Sequence, residues 1–326
     1  MVRALAILTG ARVRLNFAVN TITIEAQSER AILVPEAGCQ CLSYSVGGLE
    51  VIAGPDNPDS WRQHPHRLGI PILFPWPGRV AGAEFTYRSK TYRLPVNDPR
   101  GHSIHGFACE RPFTVLRNGP YFVTSLLDSK DDSSIAAIWP WPFQLELDYE
   151  IGNGLRLKAT VRNTGSETMP FGFGAHPYFR APLASNGSRS AMTLTLAAES
   201  RWPLDARMIP GGAPEPLSGK FDLASPRAID GETYDDAFHM KTYQRDAPRA
   251  RLADPSARVA VEIRADQAYG EFVVFVPPAD PIVAIEPYTS APDAFNLAAR
   301  GVEAGMLEVR PGETWSATFE IRISAP

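Results

Sequence analysis

The chain has 326 residues, 44% of them hydrophobic and 21% charged, enough apolar residues for a large buried core and too many for a disordered chain. Its 32 Lys and Arg against 36 Asp and Glu leave a formal charge of −4. There is no basic excess to hold a phosphate backbone or anionic lipid, which sets nucleic acid and membrane surfaces aside as partners.

At the N-terminus, MVRALAILTGARVRLNFAV has a short apolar run that Arg12 and Arg14 interrupt, too early for a signal-peptide core. No uncharged stretch approaches the roughly 20 residues of a membrane span. Cys39, Cys41 and Cys109 cannot all pair, and their spacing matches no zinc pattern. They read as free thiols of a reducing compartment, and the chain as a soluble cytoplasmic protein. His64-Pro65-His66 lacks a third ligand of obvious spacing and reads as a loop.

Thirty prolines are scattered along the chain, and one inside a helix costs about 3 kcal/mol, so long helices are not expected. What recurs is alternation. Phe143, Leu145, Leu147, Tyr149 and Ile151 alternate with polar residues, as do Leu155, Leu157, Ala159 and Val161, then Val259, Val261 and Ile263, then Phe319, Ile321 and Ile323. Each series gives a strand with one apolar and one polar face. Phe272 to Val276, FVVFV, is apolar throughout, as for a strand buried on both faces. Gly152-Asn153-Gly154, Asn163-Thr164-Gly165 and Pro311-Gly312-Glu313 supply turns between strands. One short helix is expected from Asp293 to Arg300, ended by Gly301. With no linker and no composition break, residues 1–326 read as a single all-β domain, an antiparallel sandwich of two large sheets.

Four stretches break the strand pattern: GIPILFPWPGRV (69–80), GHSIHGFA (101–108), FGFGAHPYFR (171–180) and IEPYTSAPDAFN (285–296). Each offers one ionisable group, Arg79, His105, His176 and Glu286 respectively. Singly, each has an ordinary structural explanation. Asp235 and Asp236 in YDDAF are adjacent, so on a strand they point to opposite faces and one at most is expected to face a pocket. No nucleophile elbow, P-loop, dinucleotide glycine fingerprint or His-Glu-x-x-His is present.

Together these stretches resemble the aldose 1-epimerases, the galactose mutarotase-like family, from about Ala31 to Ile323. HPYF after its glycine-rich approach is the most specific element. IEPYTSAPDAFN is similar to the stretch with the family's catalytic glutamate, HGFA to that with its first substrate-contacting histidine, LFPWPGRV to that with its sugar-binding arginine, and DDAF to the loop with its sugar-binding aspartate. The resemblance implies Glu286 as base, His176 as acid, and Arg79, His105 and Asp235 as sugar-binding groups. Interconverting anomers requires an acid and a base in one pocket and needs no metal or cofactor. Burial beside Ile285, Pro287 and Tyr288 should raise the Glu286 pKa, and an imidazole near neutrality would hold a proton a sizeable part of the time. Tyr178, Trp76 and Phe107 are candidates to stack on the sugar. The glycines at 172 and 174 are expected to let the backbone approach it.

The partner is then a small-molecule aldose or hexose phosphate, handled by a monomer or homodimer. HGFA is also similar to hexose-6-phosphate mutarotases. A phosphate would need cations beyond Arg79, and Arg67, Arg88, Lys90, Arg100, Arg111 and Arg180 are available. A non-catalytic sugar-binding protein would not need both His176 and Glu286. A glycoside hydrolase would want two carboxylates flanking the bond, and one lies in a matching motif.

Overall fold

A computed structural model describes residues 20–55, 65–242, 244 and 247–324. The N-terminal stretch weighed as a signal peptide, and His64, lie outside them.

The alternating segments form the strands they predict. Phe143–Glu150 and Leu155–Asn163 bury every apolar position in turn and pair antiparallel, Leu147 opposite Ala159. Gly154 has φ +100°, and a Cβ there would lie 2.8 Å from the Ile321 carbonyl, so the turn between them needs glycine. Thr314–Ser324 pairs with Leu155–Asn163 on one side and Val259–Ala265 on the other. These strands centre a nine-stranded sheet with Thr114–Asn118 at one edge and Arg227–Ala228 at the other. An eight-stranded sheet opposes it, with Tyr234–Met240, Glu271–Val276 and Ile282–Tyr288 at its centre. Four further strands between Ile22 and Glu50 form a separate small sheet.

The main core unites Leu145, Leu157, Val261 and Ile321 of the first sheet with Phe238, Phe272, Val274 and Ile285 of the second. In the second sheet the intervening residues Ala237, Val273, Glu286 and Tyr288 therefore lie on its other face. This explains FVVFV: Phe272 and Val274 enter the core while Val273 and Phe275 line a cavity.

Two short α-helices occur among the described residues. Ser133–Ile138 starts at Asp132, whose carboxylate accepts the Ser134 N–H at 2.9 Å. Ala294–Ala299 lies inside the helix expected from 293 to 300, and Phe295 packs on Phe85 at 4.6 Å. Asp293 does not cap it with its side chain; its carboxylate accepts the N–H of Ala81 (2.9 Å), and its own N–H donates to the Arg79 carbonyl (2.6 Å). The helix start is thereby tied to the strand carrying Arg79. All three cysteines are free and buried, and no helix among the described residues is long and apolar enough to cross a membrane.

Candidate active site

A cavity of about 140 Å³ lies on the outer face of the eight-stranded sheet, lined by Arg79, His105, His176, Tyr178, Asp235 and Glu286 among others. The segments that carry these six are far apart in sequence, and backbone pairing brings them together. His176 N–H donates to the Pro71 carbonyl and Tyr178 N–H to that of Gly69 (both 3.0 Å), while Gly174 pairs with both Leu73 and Tyr288.

Glu286, 1% exposed, is gripped at both oxygens. Its Oε1 is 3.1 Å from His176 Nε2, and its Oε2 accepts the Tyr288 hydroxyl at 2.5 Å. The His176 ring stacks on Tyr178 at 4.2 Å. The Tyr178 hydroxyl donates to the His66 carbonyl (3.0 Å) and lies 3.2 Å from His176 Nε2. Burial raises the Glu286 carboxyl well above the usual carboxylate range, against the Tyr288 hydrogen bond. Burial also drops His176 to about 3. The expected partly protonated imidazole is thus corrected. Both shifts have one origin, since a desolvated wall disfavours a lone carboxylate and a lone imidazolium alike. The contacting pair is therefore held net neutral and titrates as a unit.

His105 has φ +66°, and its Nδ1 accepts the Gly78 N–H at 3.2 Å. That bond leaves Nε2 carrying the hydrogen, as a donor. Burial, then His176, His66 and Arg79, hold its pKa well below the ordinary value, so the ring is neutral. Arg79 Nε is 3.3 Å from Asp98, a carboxylate 6% exposed in NDPRGH that sequence reasoning passed over. The pair orients the guanidinium and offsets its charge.

Both Asp235 and Asp236 border the cavity, where one at most was expected. The Asp236 carboxylate folds back to within 3.3 Å of the Asp235 N–H and 3.9 Å of Arg201, so strand alternation does not carry it clear of the wall. Burial raises both carboxyls.

Trp76 and Phe107 are absent from the lining. Phe107 and Ala108 N–H both donate to the Phe74 carbonyl, and a Cβ on Gly106 would lie 2.1 Å from the same oxygen. This tight turn drives Phe107 inward to meet Trp76 and Phe143, and Trp76 packs on Trp139 at 5.6 Å. Of the three aromatic candidates only Tyr178 reaches the cavity. The glycines of FGFG make room for protein rather than ligand: a Cβ at Gly172 would meet Ser290 Oγ at 2.6 Å, and one at Gly174 the Tyr288 ring at 2.7 Å.

None of the six other candidate cations lines this cavity. Arg67 is bound to Asp280 at 2.8 Å, Arg111 to Asp132 at 2.8 Å, Arg100 lies 3.6 Å from Asp98 and Arg88 3.7 Å from Glu308. Lys90 and Arg180 are exposed. No group of three or more His, Cys, Asp or Glu suited to a metal ion occurs among the described residues.

The structure is an all-β sandwich with a buried histidine and glutamate in contact on one sheet, and comparison with known proteins defines the family. Residues 20–322 match the family model for aldose 1-epimerase, and the chain belongs to that family. It is 30% identical to galactose mutarotase of Mus musculus over 175 residues, 49% of this chain and 46% of that one. It is 25% identical to maltose epimerase of Levilactobacillus brevis over 204 residues, 58% of this chain and 59% of the other. The chain thus spans about half the length of these two relatives. An uncharacterised Escherichia coli protein is 24% identical over 73% of this chain and 74% of its own. Among solved structures, a galactose mutarotase-like protein from Clostridium acetobutylicum superposes with a TM-score of 0.87 at 24% identity, covering 94% of this chain and 95% of that one. Galactose 1-epimerase from Lactobacillus acidophilus gives 0.75 at 15% identity over 94% of each. These two likenesses establish a shared fold.

Proposed function

We propose that the protein is a mutarotase that interconverts the α and β anomers of an unphosphorylated aldose. The observation that carries this reading is the 3.1 Å contact between His176 and Glu286 inside a cavity that also presents the neutral donor of His105. One titratable proton on two adjoining groups is what the reaction uses. The sugar's C1 hydroxyl donates to Glu286 and its ring oxygen accepts from His176, which favours the carboxylate-imidazolium form of the pair. Glu286 takes the C1 proton as His176 delivers its own to the ring oxygen, the C1–O5 bond opens, and the C1–C2 bond rotates. Closure on the other carbonyl face reverses both transfers and returns the pair with its single proton. His105, Arg79 and Asp235 hold the remaining oxygens, so binding fixes the orientation.

The charges lining the cavity support an unphosphorylated substrate. Asp235 and Asp236 stand beside a net-neutral His176–Glu286 pair, and the one guanidinium of the lining, Arg79, is already paired with Asp98. A phosphate dianion would meet repulsion there rather than the arginine fork it needs.

The test is polarimetry on freshly dissolved α-D-glucose, α-D-galactose and a hexose 6-phosphate. The native protein should accelerate mutarotation of free sugars, and Glu286→Gln should lose about 10²- to 10⁴-fold of that acceleration. Rates that stay at the buffer value while sugar binds would refute the enzyme and leave a sugar-binding protein.

A further inference from the structure

The loop Pro65-His66-Arg67 and the turn Cys109-Glu110 come from separate parts of the chain and meet behind the cavity. Cys109 Sγ is 3.0 Å from His66 Nδ1, and Glu110 Oε1 is 3.2 Å from His66 Nε2. Both ring nitrogens are therefore held. The buried Gln40 side chain fixes the loop by donating to the Pro65 carbonyl at 2.9 Å and, more weakly, the turn by donating to the Cys109 carbonyl at 3.4 Å. The His66 ring centroid is 5.6 Å from that of His105, which is 5.5 Å from that of His176. Three imidazoles thus run from the edge of the fold to Glu286. The His66 carbonyl accepts the hydroxyl of Tyr178, the ring on which His176 stacks.

We propose that His66 is a positioning residue for the active-site histidines: clamped between Cys109 and Glu110, its ring is a fixed positive charge behind His105, and its carbonyl anchors Tyr178 beneath His176. The inference rests on the mutarotase reading above. Although burial works against the charge, Cys109 and Glu110 push the His66 imidazole up to about 10. Glu110 is correspondingly lowered, chiefly by its hydrogen bond to His66. The groups facing His105 are few: His66 behind it, Arg79 with Asp98 on the neighbouring strand, and His176, Glu286 and the two aspartates around the cavity. Arg67, next to His66, is paired with Asp280. Two cations press on His105, and His66 is the one whose charge depends on a partner reached only through the fold. Keeping His105 unprotonated preserves the Nδ1 acceptor for Gly78 and aims Nε2–H at the sugar. A proton on Nδ1 would break that bond and place a second cation beside His176.

The experiment has two readouts. Imidazole-carbon NMR follows the titration of His105 in the native protein, His66→Gln and Glu110→Gln, and polarimetry gives kcat/KM against pH for the same three. Removing the charge makes His105 easier to protonate. Its titration and the acid limb of kcat/KM should both move to higher pH, by at least a tenfold change in proton concentration for His66→Gln. Glu110→Gln should not move them to higher pH, because His66 keeps its proton throughout the acid range where His105 titrates and only a negative charge is lost. A His105 titration unmoved in folded His66→Gln overturns the proposal, even where activity falls, since a purely structural role lowers kcat/KM equally at every pH. If His66→Gln fails to fold, Glu110→Gln at the protein surface decides: a His105 titration moved to higher pH overturns the proposal, and one unmoved or moved to lower pH supports it. If the native protein turns over no sugar, the mutarotase reading fails by polarimetry while NMR still decides whether His66 governs His105.

Discussion

Replacing Tyr288 by Phe removes one oxygen and leaves the packing of a fully buried ring in place. That oxygen donates to Glu286 Oε2 at 2.5 Å, and this hydrogen bond works against the burial that drives the carboxylate toward its protonated form. A hydrogen bond to a charged acceptor contributes about 1.5–3 kcal/mol. Without it, the carboxylate-imidazolium form of the His176–Glu286 pair loses that amount relative to the carboxylic acid-imidazole form. The reactive population, and with it the plateau of kcat/KM, should fall about ten- to a hundredfold. The sign on pH follows from the same bond. A less stabilised carboxylate keeps its proton to higher pH, so the alkaline limb should move up as the plateau drops. Polarimetry of one free aldose across pH, with a thermal melt to verify folding, measures both. An unchanged plateau, or an alkaline limb displaced to lower pH, refutes the assignment of Tyr288 as the hydroxyl that keeps Glu286 ionisable.

Asp98→Asn leaves Arg79 without its buried partner, so KM should rise more than kcat falls, and steady-state kinetics separate the two. Gly174→Ala places a Cβ 2.7 Å from the Tyr288 ring, and thermal or denaturant unfolding should register a loss of about 1–3 kcal/mol from overpacking. His239 Nδ1 is 2.7 Å from the buried Glu271, which also accepts the Trp202 indole N–H at 2.6 Å. The Glu271 hydrogen bond raises the His239 pKa above its ordinary 6.5. Its stabilisation is therefore fully present below the unfolded pKa and lost as pH rises through the folded one. Native Tm should fall relative to that of His239→Gln from mildly acidic to alkaline pH, and parallel Tm curves would refute the linkage.

Much of this protein was legible from local pattern. Alternation at Leu155 to Val161 and Phe143 to Ile151 determined strands and their buried faces, because a period of two residues leaves an apolar face that only a sheet can cover. The prolines and turn residues determined where strands end, and the four irregular stretches offered Arg79, His105, His176 and Glu286, each with an ordinary structural explanation on its own until the fold brings all four to one cavity. Other features depend on groups distant in sequence meeting in space. That His176 and Glu286 touch follows from the pairing of Tyr178–Arg180 with Ile282–Ala284. That Phe107 and Trp76 go to the core follows from the tight turn at Gly106, whereas an aromatic residue beside a histidine reads the same either way in sequence. Asp98 behind Arg79, and Cys109 with Glu110 around His66, carry no local signature at all. A strand records its own burial in its alternation; a charge records nothing about its partner, because the partner is set by where the chain returns.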